Sequence, residues 1–267
     1  MLVTFVRPGG ARGGAASVEN ACVGLLSADG GRVADLTAIG MEDVFAALPR
    51  VAQLERLLTH LTATPGAVSY DVGSVRLLAP VPYARLVRDV AAVAPDGADV
   101  GALRFSDPRE IAGPGVHVPV TGGELLAVGI VAAIGTGGRD IAADNGVAHL
   151  AGVTMFAEWR SADPDAAVAS DRLLTGPALA PMTSLTDDAE LLVMLPRESV
   201  RRIPLAGARK ALGAAVAAAS IRYTLRAGDL FLHDAGVVDS PLGAGEAGEI
   251  TIDGPSGTLS HIATRTD

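Results

Sequence analysis

The residues best equipped for chemistry lie in two short stretches, Glu158-Trp159-Arg160 and His233-Asp234. The first closes the apolar run Val153 to Glu158, which reads as a strand. Residues two apart on a strand project from one face, so Glu158 and Arg160 are expected to stand side by side. A carboxylate beside a guanidinium has two readings. One is a strand-end ion pair. The other is a proton-transfer carboxylate set beside Trp159, where partial burial favours the protonated form. In that second reading Arg160 grips a substrate carboxylate or enolate in a bidentate pair, and Trp159 is a further substrate contact. His233 and Asp234 follow the apolar run Asp229 to Leu232. Neighbours on a strand face opposite ways, so adjacency alone does not make a His–Asp couple. His233 stands as a catalytic candidate, and Asp234 as either a substrate-binding carboxylate or a turn cap.

The other polar residues invite plainer readings. His117 reads as a loop or edge histidine, His149 as an exposed residue on a short helix, and His60 and His261 as surface residues. The acidic run Asp187-Asp188-Ala189-Glu190 reads as a solvated turn, and Arg201-Arg202 as a strand edge protected by charge. The single cysteine, Cys22, can form no intramolecular disulfide and lies in an apolar stretch, which makes it a packing residue.

The elements that must position these residues can be read from periodicity. Leu2 to Val6, Cys22 to Leu26 and Arg32 to Leu36 read as strands, the last two joined by the turn at Ala28-Asp29-Gly30-Gly31. Between Glu42 and Leu61 the period becomes helical, with Val51, Leu54, Leu57, Leu58 and Leu61 on one face. Val75 to Leu78 and then Ala79-Pro80-Val81-Pro82 mark a domain boundary. Leu125 to Ile134 carries no charge and suits a strand buried on both faces. Ala142 to Leu150 reads as a short helix, Leu191 to Leu195 and Val200 to Ile203 as a strand pair, and the Ala-rich Gly207 to Ile221 as a helix. Glu249 to Ile252 and Thr258 to Ile262 complete the set, joined by the turn Asp253 to Gly257.

Composition sets the outer limits. Nearly half of the 267 residues are apolar and 19% are charged, so the chain must fold around a large core. A net charge of -9, with no clusters of Lys or Arg, argues against a nucleic-acid partner. No apolar stretch has the length of a membrane span, and the start Met1 to Val6 is too short for a signal segment. A cytoplasmic protein with no membrane partner is the expectation.

Several stretches, in order, resemble the fumarylacetoacetate hydrolase family. Leu2-Val3-Thr4-Phe5, Val23-Gly24-Leu25 and Val33-Ala34-Asp35-Leu36 are similar to its small N-terminal domain. Leu77 to Pro82 is similar to the entry into its larger domain. Ala132-Ala133-Ile134-Gly135, Leu150-Ala151-Gly152-Val153-Thr154, Glu158 to Asp163 and Leu225 to Leu230 resemble further family elements. The resemblance implies an α+β fold, with a small α+β domain over 1–72 and a β-rich domain over 73–267. It also implies a small oxo- or enol-containing substrate and, with the high apolar fraction, a homodimer.

The same resemblance implies a divalent metal held by carboxylates, whose charge stabilises an enolate or oxyanion. Two of the family's ligands are glutamates one residue apart on the strand that ends in Ile-Gly. Counting back from Ile134-Gly135 places Ala127 and Gly129 there. Glu124 would reach those positions only through an insertion that reverses its facing. Glu158 matches the remaining aspartate, and Ala162 the following arginine, with Arg160 nearby. The family lysine falls near Ala167, with Arg172 in the intervening segment as a substrate-binding candidate. The substrate loop shortens to His233-Asp234-Ala235-Gly236, and 91–101 is too short for the segment bearing the family's histidine.

The reading is a divergent, metal-independent enzyme with no cofactor. Its chemistry would be acid–base isomerisation, cyclisation, dehydration or C–C cleavage, in bacterial specialised metabolism. Glu158 and His233 would share proton transfer in one pocket. The alternative is a noncatalytic homologue that binds a ligand or stabilises a partner subunit.

Overall fold

An uncharged run such as Leu125 to Ile134 has no polar face to offer water, so other layers must cover both of its sides. The protein, described here by a computed structural model, covers it in that way. The structure describes residues 1–9, 20–56, 68–84, 86–89, 105–106, 110–161, 172–198, 200–240 and 242–266.

The first sheet has five strands: β1 (Leu2–Val6), β2 (Cys22–Leu26), β3 (Arg32–Asp35), β4 (Ser69–Asp71) and β5 (Arg76–Leu77), in the order β4-β3-β2-β1-β5. The chain then supplies β6 (Val87–Asp89), β7 (Phe105–Ser106), β8 (Glu110–Ala112), β9 (Val116–Val120), β10 (Glu124–Ile134), β11 (Leu150–Ser161) and β12 (Arg172–Thr175). After these come β13 (Glu190–Met194), β14 (Arg201–Pro204), β15 (Leu230–Asp239), β16 (Ala247–Gly254) and β17 (Gly257–Arg265). A seven-stranded sheet runs β7-β6-β15-β10-β11-β12-β8, and a five-stranded sheet runs β14-β13-β16-β17-β9.

β10 lies at the centre of the seven-stranded sheet, between β11 and β15. Its alternate residues feed two cores. Leu126, Val128, Ile130, Ala132 and Ile134 pack with the third sheet and with the helix Ala208–Arg222. Val131 and Ala133 face the opposite way, against Leu2, Leu25, Val44, Leu48, Val51 and Leu54 of the N-terminal region. The N-terminal sheet therefore shares a core with the central sheet. Paired backbone hydrogen bonds between Leu2 and Leu179 fasten it further.

The long helix follows from its spacing: Ala208, Leu212, Ala215, Val216 and Ala219 form one buried stripe. Its small residues allow close approach. A Cβ on Gly146 would lie 2.0 Å from the Gly213 carbonyl oxygen. That contact belongs to a single 3-10 turn, Gly146–His149, where the sequence predicts a helix over Ala142 to Leu150. Asn145 and Gly146 are poor helix formers, and the turn is held by docking rather than by its own propensity. Within the helix predicted over Glu42 to Leu61, residues 51–56 are helical and Val51 and Leu54 are buried. Leu57, Leu58, His60 and Leu61 lie outside the described residues.

The largest departure concerns β15. Sequence predicts a strand over Asp229 to Leu232 and then a loop, yet strand pairing with β10 runs on to Asp239. A β-bulge at Ala235 lets the pairing continue past His233-Asp234-Ala235-Gly236.

Candidate functional site

Pairing across the central sheet gathers one patch. Leu125 pairs with Arg160, Ala127 with Glu158, and Gly129 with both Phe156 and Asp234. Directly paired residues share a face, so Glu158, Arg160 and Asp234 project together above Ala127 and Gly129. β11 and β15 flank β10, so the two carboxylates lean inward over its small residues and meet at the guanidinium.

The contacts are tight. Arg160 Nε donates to Glu158 Oε2 at 2.5 Å. Its Nη1 and Nη2 donate to Asp234 Oδ2 at 2.6 Å and Oδ1 at 3.1 Å, a bidentate fork. Glu158 is 6% exposed, while the Arg160 and Asp234 side chains keep 27% and 22%. Burial pulls the Arg160 pKa down, but the Asp234 hydrogen bond and the charges of Glu158 and Asp234 outweigh it and raise it above its ordinary value. The cation is permanent. Three bonds leave two of its five N–H groups.

These bonds correct one expectation. The bidentate face of Arg160 is already filled by Asp234, so it does not offer that fork to a substrate. Asp234 is neither a turn cap nor in a loop, because the bulged strand holds it.

The expected pocket of Glu158 with His233 is not formed. His233 pairs with Ile130, on the sheet face opposite Glu158 and Asp234. Trp159 also faces away from Glu158. It is 2% exposed and packs in the core with the third sheet. Its indole N–H donates to His261 Nε2 at 3.3 Å. Sequence reads His261 as a surface residue, but it is 1% exposed, and burial pushes its pKa down to about 4. Arg172 alternates with Leu173, so it shares the facing of Leu174 in that same core, and it donates to the His117 carbonyl at 3.0 Å. Glu158, Arg160 and Asp234 are thus brought together, while His233, Trp159 and Arg172 are turned from them by strand parity.

Glu124 lies on the parity of Leu126, away from the patch, and accepts from the Thr121 N–H at 2.6 Å. Burial pushes the Cys22 thiol pKa up, in keeping with a packing role. Ala162, Asp163, Ala167 and 91–101 lie outside the described residues.

Those of the patch's residues that the structure describes do not fit a divalent cation. Among the described residues no group of three His, Cys, Asp or Glu converges as its ligands, and Ala127 and Gly129 supply no donor side chains. Gly129 cannot readily regain one. A Cβ there would lie 2.2 Å from the His233 carbonyl oxygen and 2.7 Å from Phe156 Cε1. Deeper on the same face, a cavity of about 10 Å³ is lined by Pro80, Val81, Val131, Thr154, Thr175, Leu179 and Leu230. It has room for a water but not for an organic acid.

No family model matches the sequence, and no curated protein matches it. Solved structures do share its fold. Maleylpyruvate hydrolase from Sphingobium sp. SYK-6, in complex with manganese(II) and pyruvate, matches with a TM-score of 0.72 at 16% identity, covering 99% of this chain and 100% of that one. 5-Carboxymethyl-2-hydroxymuconate delta-isomerase from Mycobacterium smegmatis matches with a TM-score of 0.68 at 19% identity, over 99% of both chains. Fumarylacetoacetate hydrolase from Exiguobacterium antarcticum matches with a TM-score of 0.68 at 17% identity, over 98% of this chain and 99% of that one. The β-rich architecture with a small N-terminal α+β region is the fold of these proteins. Among the described residues no helix is long and apolar enough to cross a membrane.

Proposed function

We propose that the chain is a divergent member of the fumarylacetoacetate hydrolase family, an enzyme that moves a proton on a small oxo or enol acid without a divalent metal. The observation that carries this reading is the ion cluster of Glu158, Arg160 and Asp234 above Ala127 and Gly129. The chemistry follows from the groups. A base removes a proton from the carbon beside a carbonyl, the C–H electron pair becomes a C=C bond, and the carbonyl oxygen gains negative charge. Glu158 is the base. The Arg160 N–H groups outside the cluster meet the oxygen at a fixed position, so little reorganisation is needed as its charge develops. Asp234 holds the guanidinium in place. Isomerisation, dehydration and C–C cleavage of such acids can all proceed through this enolate.

The solved counterparts support the substrate class: their names specify maleylpyruvate, 5-carboxymethyl-2-hydroxymuconate and fumarylacetoacetate. Those acids, with pyruvate, form the panel for a direct assay. Deuterium incorporation at the carbon beside the oxo group, followed by NMR in D2O, reads proton transfer whatever reaction comes next. Wild-type protein is expected to accelerate exchange in at least one acid, and Glu158→Gln to lose ~10²-fold or more while staying folded. Equal rates in the two proteins would remove Glu158 from the reaction.

A second reading draws on the closure of the Arg160 fork: a noncatalytic relative that binds a ligand or stabilises a partner subunit. Absence of exchange across the whole panel in the wild type would move the assignment to it.

A further inference from the structure

We infer that one water molecule binds at the seam between the N-terminal sheet and the central sheet, bridging the hydroxyls of Thr175 and Thr154. The site stands apart from the proposed proton transfer, because Phe156 separates Thr154 from Glu158 along the face of β11 that they share.

The inference starts from an unmet hydroxyl. Thr175 is 2% exposed, and its Oγ1 has no hydrogen-bond partner among the described residues. A hydroxyl carries one O–H donor and two acceptor sites, and burying it with none of them met is costly. Buried polar side chains ordinarily avoid that cost through a protein or water partner. Thr175 lines the cavity of about 10 Å³ described above, and so does Thr154. That volume matches one water and excludes a larger guest. The rest of the cavity wall is apolar and carries no charge, so its occupant is neutral and is held by these two hydroxyls.

Strand pairing shows why the hydroxyls need a bridge. Thr175 stands opposite Phe156, and Thr154 lies two residues before Phe156, so the threonines are diagonal neighbours on one face. The Cα atoms of such neighbours are about 7–8 Å apart, too far for two short side chains to bond directly and suited to a single water between them. Thr154 has capacity to spare. Its Oγ1 lies 3.3 Å from Ser256 Oγ, which also accepts from the Met155 N–H at 3.2 Å. A hydroxyl engaged in one such bond keeps a site for the water.

The position gives the water a role. Leu179, on the cavity wall, exchanges backbone hydrogen bonds with Leu2, and the carbonyl of Pro80, also on the wall, accepts from Thr4 Oγ1 at 2.9 Å. Among the described residues β12 makes two registered pairs with β11, Phe156 with Thr175 and Ala157 with Leu174. The water extends that short ladder through side chains, at the place where the N-terminal sheet docks.

The test is a crystal structure of the full-length protein at a resolution that shows ordered water. One water is expected within about 3 Å of both Thr175 Oγ1 and Thr154 Oγ1. A cavity without that density, or a Thr175 Oγ1 bonded directly to a protein atom, would overturn the inference. Melting gives an independent sign. Thr175→Val keeps the side-chain shape and removes the hydroxyl, which strips the water of a partner, so Tm is expected to fall. In a dry cavity the same change relieves a buried unmet hydroxyl, so a Tm that holds or rises counts against the water. Thr154→Val and the double variant complete a cycle. Once one hydroxyl is gone, removing the other should lower Tm by less than it does alone, because a single water serves both. Additive shifts would overturn the bridge. Should Thr175→Val not fold, the wild-type density decides, with Thr154→Val read by the fall in its Tm.

Discussion

Arg160 makes three charge-assisted bonds, and its loss has a larger effect than that of either partner. Arg160→Met would remove three charge-assisted bonds from a mostly buried patch and is expected to cost about 3 kcal/mol in urea unfolding, in the range for breaking such a pair. Asp234→Asn leaves one neutral pair, Glu158 with Arg160, and should cost less. An Arg160→Met variant as stable as wild type would show the cluster to be solvated and loose. His261 makes a different demand. The Trp159 indole can only donate, so His261 Nε2 must accept and the ring must be neutral, while Nδ1 has no partner among the described residues. Its folded pKa of about 4 lies below the value of about 6.5 expected when unfolded. Protons therefore bind the unfolded chain first as the pH falls. The contribution is fully present above pH 6.5 and is lost toward pH 4, a total of about 3 kcal/mol. The urea midpoint of wild type should fall relative to that of His261→Phe as the pH is lowered from about 7.5 to about 4.5; parallel pH profiles would mean that His261 titrates normally. The same alternation that lets sequence pair Glu158 with Arg160 also sends Trp159 and His233 to the other face. Asp234 lies beyond reach of that rule, because its place depends on the pairing of β15 with β10, which joins residues far apart in the chain.

At the scale of elements, the bulge in β15 decides the site. Without it, pairing past Gly129 would shift by one residue, and every later side chain of β15 would exchange faces. The tight approach of His233 and Phe156 to Gly129 makes that glycine part of the device. Gly129→Ala is expected to cost about 2 kcal/mol, because the added Cβ must push apart a paired backbone and a buried ring. Hydrogen exchange should quicken in β15 around Asp234 before it does in β11. A neutral effect would mean that the bulge opens easily. Sequence made β10 and the long helix legible because an unbroken apolar run and an Ala-rich segment each allow few structures. His233-Asp234-Ala235-Gly236 reads as a loop because its composition is that of turns, and only the ladder with β10 overrides that local preference. Ala142 to Leu150 fails in the opposite sense. Its helical pattern is too short to hold itself, and one turn survives by packing Gly146 on Gly213.

At the scale of the molecule, the buried apolar side chains among the described residues gather in three clusters, the two fed by β10 and a third of Val3, Phe5, Cys22, Leu26, Val33 and Ala178. The exposed large apolar residues among those described include Ile39, Tyr83, Val200, Ile221, Val237 and Ile262. The homodimer expected from sequence thus needs its own measurement, and light scattering at micromolar concentration should return twice the mass of 26.9 kDa. A monomeric mass would remove it. The proposed division at residue 72 raises a further question, because a sheet of its own does not make the N-terminal region independent. Leu2, Leu25, Val44, Leu48, Val51 and Leu54 pack into the same core as Val131, Ala133, Phe156 and Leu230 of the central sheet. Removing 1–72 would open that core to water on the face of β10 that carries Val131 and Ala133. Apolar area of that kind contributes about 25 cal/mol per Å² when covered, so neither part keeps its stability alone. The full chain is expected to unfold in one transition, with Trp159 fluorescence in the central sheet and far-ultraviolet circular dichroism giving the same urea midpoint. A fragment beginning at residue 73 should expose apolar surface and bind a hydrophobic dye. Two separated transitions, or a fragment that remains monomeric and cooperative, would show that the boundary divides two independently stable bodies and that the shared core contributes little.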